Sequence, residues 1–256
     1  MSFDSKFGEI STIISHKIAT ITFGNSAGNS FPTSLLQELT SVFNNLSLDK
    51  NVNVIVLQSH GDKVFCSGAS FDELLVIDNF EQGKSFFMGF ANLLNAMRHC
   101  SKIIVGRIHG KAIGGGVGIA AACDYIFATS AANIKLSELA IGIGPFVIEP
   151  AVSRKIGLGA TTALALDATN WKTPQWAFEK GLFSEIFENS ISMDLAIKKF
   201  TTQLSSYNSD ALTELKKVFW QNTAHWDVLL PERAAISGQL ILSDFSKQAL
   251  QNLKSK

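Results

Sequence analysis

An excess of charge of either sign is what this chain most plainly lacks. Its 256 residues carry 22 Lys+Arg against 22 Asp+Glu, a formal net charge of zero. That balance argues against a broad nucleic-acid or acidic-membrane surface. Cysteine is scarce too: Cys66, Cys100 and Cys123 are odd in number and have neither paired nor metal-type spacing. No disulfide framework and no zinc site is expected, and a reduced, cytoplasmic compartment fits best. No run of about 18 apolar residues suggests a membrane span. The opening MSFDSKFGEI lacks a basic-then-apolar pattern, so no export leader is expected. Neither Tyr125 nor Tyr207 has lysine four residues on, which removes the commonest short-dehydrogenase pair.

What is present is a chain 46% hydrophobic and 17% charged, enough for a sizeable core. Glu9–Ser15 and Lys17–Phe23 read as strands joined tightly near His16. Asn53–Gln58, Lys102–His109 and Tyr125–Ala128 read as further strands. Pro32 and Thr33 open a helix with Leu35, Leu36, Leu39, Val42 and Phe43 on one face. Further helices fall around Phe71–Val76 and Ser85–Arg98. Strand, strand, helix, then strand and helix in alternation predict an α/β domain with crossover connections. After about Ile191 strand signals vanish. Met193–Leu204, Asp210–Trp220 and Leu229–Leu253 read as helices, with Pro231 in the first turn of the last. The expected division is a core over 1–190 and a helical region over 191–256. The aromatics of that region, Phe219, Trp220, Trp226 and Phe245, fit packing on its own core or on a neighbouring subunit.

The densest signal is Gly110–Asp124, GKAIGGGVGIAAACD, which follows the strand-like KIIVGRIH and opens a small-residue helix. Glycines there permit close helix–strand packing, or a backbone that approaches a ligand. A helix start also leaves N–H groups free to hold a negative oxygen. Gly116, Gly118 and Ala121 fit G-x-G-x-x-A, and Glu138 falls about 20 residues on, as in dinucleotide-binding folds. The motif sits mid-chain, however, after more than a hundred residues of other structure. The competing use is an oxyanion hole, which needs two converging N–H donors. A second small-residue segment, VFCSGAS over Val64–Ser70, places Ala69 next to Gly68 and can supply the partner donor.

With both segments in view, the chain resembles the enoyl-CoA hydratase/isomerase (crotonase) superfamily from about Glu9 to Ile186. The resemblance rests on NVNVIVLQSHGDKVFCSGASFDEL, KIIVGRIHGKAIGGGVGIAAACDYIFAT, IKLSELAIGIGP and TPQWAFEKGLFSEIF, in that order. It implies an α/β crotonase-like spiral of strand-strand-helix units with a helical C-terminal region, assembled as a homotrimer or hexamer. It implies an acyl-CoA thioester substrate and no metal or redox cofactor, coenzyme A being part of the substrate. By motif match, Ala69 and Gly115 supply the oxyanion N–H groups. Phe65, Ser67, Gly68, Gly114 and Gly118 are the implied substrate-binding neighbours.

Carboxylates divide the reactions of this superfamily. Well-studied hydratases carry one glutamate matching position 118 and another matching position 138. Here Gly118 removes the first and Glu138 retains the second. A buried carboxyl can take and return a proton, and a 1,3-double-bond shift needs only one such group. Hydration through Glu138 alone is the leading expectation. Double-bond isomerisation, decarboxylation and a non-catalytic acyl-CoA-binding homologue remain open. The GGGVG and LSELAIGIGPFVIEP segments also resemble a branch acting on branched or carboxylated enoyl-CoAs such as 3-methylglutaconyl-CoA. Ser70 stands where the family has Asp. Glu149 reads as a helix-start acid rather than a second catalytic one. His60 and His109 have no nucleophile or acid pattern around them. Phe86, Phe87, Phe90, Leu93, Leu94 and Met97 form a stripe suited to core packing or to an acyl pocket.

Overall fold

The computed structural model describes Phe3, Ser5 and residues 7–254. The chain opens with a hairpin, β1 (Glu9–Ser15) and β2 (Ile18–Gly24). Its two-residue turn puts His16 and Lys17 at φ 50° and 64°. Positive φ at both turn residues matches the twist of the flanking strands. After α1 (Thr33–Leu48) the chain repeats one unit three times. A strand enters a large sheet, a short strand enters a small sheet, and a helix returns. The units are β3 (Val54–Ser59) and β4 (Val64–Cys66) with α2 (Phe71–Val76) and α3 (Phe80–His99); then β5 (Ile103–Ile108) and β6 (Lys111–Ile113) with α4 (Gly115–Ala121); then β7 (Tyr125–Thr129) and β8 (Ile134–Lys135) with a 3₁₀ turn (Glu138–Ile141) and α5 (Glu149–Leu166). α6 (Pro174–Glu179) and β9 (Glu185–Phe187) finish the α/β part.

The large sheet has the order β1-β2-β3-β5-β7-β9, parallel except for the first hairpin, and the small sheet the order β4-β6-β8. The spiral predicted from the sequence is therefore present. Its small sheet was not legible, because two- and three-residue strands carry no usable periodicity. Runs such as Val54–Leu57 are buried throughout, as a parallel sheet covered on both faces requires. Of the apolar stripe of α3, Phe86, Leu93, Leu94 and Met97 are buried in the core.

The last four helices are α7 (Ser190–Ser205), α8 (Ser209–Phe219), α9 (Trp226–Leu240) and α10 (Asp244–Lys254). The single helix expected over Leu229–Leu253 is thus two, and Pro231 lies inside α9 rather than in a first turn. The break is capped: Ser243 Oγ accepts from Ser246 N at 3.2 Å and starts a new helix. Buried chemistry ties the tail to the sheets. The Asp124 carboxylate accepts from Lys216 Nζ at 2.6 Å, Trp220 Nε1 at 2.8 Å and Ile104 N at 2.8 Å. Asp124 thus ends the glycine-rich segment as a structural anchor. Among the described residues no helix is long and apolar enough to cross a membrane.

α9 packs along α3 through two glycines. A Cβ at Gly238 would lie 2.5 Å from Lys84 N, and one at Gly83 would lie 2.7 Å from Gly238 O. Backbone cannot yield as a side chain can, so Gly238→Ala is expected to cost about 1–3 kcal/mol. An unchanged urea midpoint in that variant would show that the close approach is not needed.

Candidate active site

Gly114 follows β6 with its N–H bonded to Lys135 O at 2.8 Å. Its φ of 52° and ψ of −120° suit glycine alone, and an added Cβ would lie 2.8 Å from Glu138 Oε1. The chain then turns into α4. Val117 and Gly118 donate to Gly114 O at 2.9 and 3.3 Å, whereas Gly115 N–H, one residue into the helix, has no partner among the described residues.

The second segment runs from β4 into α2. Phe31 donates to Gly68 O at 2.7 Å and Ser70 donates to Phe31 O at 3.0 Å. That is a parallel bridge, so the N–H of the intervening Ala69 faces away from Phe31. It has no hydrogen-bond partner among the described residues. Gly68 has φ 93°, and a Cβ there would lie 3.0 Å from Ile113 O and 3.7 Å from Gly115 N. The two segments therefore run side by side. Ser70, in place of the family's Asp, caps α2 by accepting from Glu73 N at 3.4 Å.

Glu138 completes the group from the 3₁₀ turn. The residue as a whole is half-buried, but its Oε2 is shut off from solvent and has no hydrogen-bond partner among the described residues. Burial pushes the carboxyl up to about 7, while hydrogen bonds from its own N–H and that of Ser137 act in the opposite direction. A carboxyl poised there can both accept and donate a proton near neutral pH.

Ala69, Gly115 and Glu138 line one cavity of about 360 Å³, together with Ser67, Gly68 and Gly114. Two residues implied by the resemblance stand elsewhere. Phe65 is fully buried, its ring edge-on to Phe23 at 5.5 Å, and Gly118 faces Ile148 rather than open space. A Cβ at Gly118 would sit 2.4 Å from Ile148 Cβ, and one at Gly116 would sit 2.7 Å from Cys66 Cβ. For these two glycines, close packing is the explanation, and protein atoms fill the space a dinucleotide would need. Of the α3 stripe, Phe87 and Phe90 reach the cavity. Glu149 does not line it; it is the first residue of α5 and accepts from Ser153 Oγ at 2.5 Å. His109 is also outside, buried and pushed down to about 4 by desolvation and then by Arg107.

Sequence reasoning missed one wall of the cavity. It comes from Ile143, Val147 and Ile148 and from Ser237, Leu250 and Leu253 of the last two helices. The only local sign was the helical spacing of Leu250 and Leu253, which reads as ordinary amphipathicity.

The model of the family described as Enoyl-CoA hydratase/isomerase matches residues 14–252. The chain belongs to that family. Among the relatives of this hydratase/isomerase family chain, the enoyl-CoA hydratase ACTT6 of Alternaria alternata is 31% identical over 202 residues, 79% of this chain and 62% of that protein. The chain thus spans less than two thirds of that relative. The short-chain-enoyl-CoA hydratase of Clostridium acetobutylicum is 29% identical over 203 residues, 78% of this chain and 76% of that one. An enoyl-CoA hydratase crystal structure from Bacillus halodurans superposes with a TM-score of 0.88 at 22% identity, covering 95% of this chain and 99% of that one. At that identity the likeness speaks for the fold.

Proposed function

We propose that this family member adds water across the double bond of an enoyl-CoA, with Glu138 as the sole acid–base group. The observation that carries the reading is the juxtaposition of the Glu138 carboxyl with Gly114, beside the free Ala69 and Gly115 donors in one cavity. The thioester oxygen accepts from Ala69 N–H and Gly115 N–H. Glu138, ionised, takes a proton from water as oxygen bonds to C3. The electrons of the double bond move onto the thioester oxygen as an enolate, which preorganised N–H groups stabilise. Glu138 then returns the proton to C2. No atom is left over, and one carboxyl serves both transfers.

The acyl group that suits this site is uncharged. The polar side chains lining the cavity are Ser30, Ser67, Ser70, Ser137 and Ser237 with the acids Asp72 and Glu138. Lysine, arginine and histidine are absent from that lining among the described residues, so a carboxylated acyl chain finds no counter-ion. This favours a crotonyl-type substrate over 3-methylglutaconyl-CoA.

Double-bond migration is the second reading, and Ile148 favours it. By filling the space at Gly118 it leaves no room for a second carboxyl there. In that reaction Glu138 removes a C2 proton from a 3-enoyl-CoA and delivers it to C4.

Mass-resolved turnover in heavy-oxygen water tests both. Crotonyl-CoA, 3-methylglutaconyl-CoA and a 3-enoyl-CoA would each meet the wild type and Glu138→Ala. Labelled hydroxyacyl product, fastest from crotonyl-CoA and lost in the variant, is the expected result. Unlabelled migration alone would make the protein an isomerase. Turnover that survives in Glu138→Ala would end the single-carboxyl mechanism.

A further inference from the structure

The start of α4 carries two notches. Gly114 and Gly118 are four residues apart, and the Gly118 N–H donates to Gly114 O at 3.3 Å. Gly114 is the non-helical residue before α4, and Gly118 lies one turn into the helix above it. The Glu138 carboxyl fills the first notch, 2.8 Å from where a Cβ of Gly114 would be. Ile148 fills the second, and a Cβ of Gly118 would meet both its Cβ and its Cγ2 at 2.4 Å. Ile148 is 4% exposed and lines the same cavity, beside Val147 and Ile143.

We propose that Ile148 is a specificity-determining residue, setting how the site divides its turnover between adding water and moving the double bond. The proposal rests on the enoyl-CoA reading above. A water held in a buried site needs two to four polar partners. At Gly118, one turn into α4 from the notch that holds the Glu138 carboxyl, Ile148 offers only hydrocarbon. Water beside the carboxyl therefore finds no partner among the described residues on the Ile148 side of the cavity, and return of the proton to carbon competes with its addition. A hydroxyl at position 148 supplies the missing partner and shifts the division towards hydration.

The test compares Ile148→Thr with Ile148→Val, which have nearly the same shape and differ by the hydroxyl. A 3-enoyl-CoA is supplied in heavy-oxygen water, and labelled hydroxyacyl product is measured against migrated double bond at early times. One additional hydrogen bond to the attacking water should raise that ratio about tenfold in Ile148→Thr over Ile148→Val. Equal ratios in the two variants, with the wild type active, would overturn the proposal and leave the enoyl-CoA reading standing. A wild type silent on every substrate would overturn the reading itself, and the proposal with it. Thermal melting closes the argument without substrate. Gly118→Ala should destabilise the wild type and cost clearly less in an Ile148→Gly background, which removes both the Cβ and the Cγ2 that the new methyl would meet. The same loss in both backgrounds would show that Ile148 does not occupy the notch, and the proposal would fall.

Discussion

Glu138→Gln is expected to lower kcat by about 10²–10⁴-fold while changing the KM for the acyl-CoA only a few-fold. Glutamine keeps the shape of the side chain and leaves the Ala69 and Gly115 N–H groups in place, so binding survives. What it loses is the group that accepts the proton. The pH profile carries the same argument. In the proposed mechanism Glu138 is ionised at the start of either reaction, and burial raises its carboxyl from 4.5 to about 7. The kcat/KM of the wild type should therefore rise with pH through about 7 and then level off. A flat profile between pH 5.5 and 8.5 would remove Glu138 from the role of base.

The same burial has a stability consequence of definite sign. A carboxyl whose pKa is raised on folding binds its proton more tightly in the folded state. Its contribution is fully present below about 4.5 and is lost as pH rises through about 7. At about 1.4 kcal/mol per pH unit the loss is of order ~3 kcal/mol. Glu138→Gln should match the wild type in stability at pH 4.5 and exceed it at pH 8.5, by roughly that amount. Urea melts at the two pH values read this directly. A variant less stable than wild type at pH 8.5 would mean that the carboxylate is better solvated than its buried Oε2 indicates.

Gly115→Ala should reduce kcat/KM by about 10²–10³-fold, the scale set by losing one oxyanion donor. The donor itself is backbone and survives the substitution. The loss comes from displacement, because the new Cβ would lie 2.3 Å from Cε1 of Phe90. Either the ring or the start of α4 has to move, and Gly115 N–H moves with the helix. Phe90 is 3% exposed and packs against Phe31 and Phe86, so the ring has little freedom to yield. Pairing the substitution with Phe90→Leu, which vacates the ring edge, should restore at least part of the activity. If Gly115→Ala keeps full activity by itself, the Gly115 N–H is not a working donor.

These positions also show which features were readable along the chain. Gly114 and Gly68 announce themselves, since a positive φ is a requirement of the residue's own backbone. Glu138 was legible in a different way, through the motif IKLSELAIGIGP that carries the family resemblance. Gly118 and Phe65 were different. Both belong to segments that build the site, yet one meets Ile148 and the other Phe23. A segment's sequence does not say which of its faces a later part of the chain will cover. Even the decoy dinucleotide motif is explained by that, because Gly116 and Gly118 receive Cys66 and Ile148 where a ligand would have to approach.

By itself the sequence determined the strand-strand-helix order, the glycine positions where backbone must bend or approach, and a glutamate at 138 with a glycine at 118. Each of these is a property of a residue or of its near neighbours. Tertiary structure alone decided that Glu138 fills the notch of Gly114, that Ile148 fills the notch of Gly118, and that α10 closes the cavity with Leu250 and Leu253. It also decided that the Glu138 carboxyl is raised to about 7. Those outcomes depend on which distant segments come to lie against one another, and with them on the removal of water from a carboxyl, which no local pattern of residues encodes.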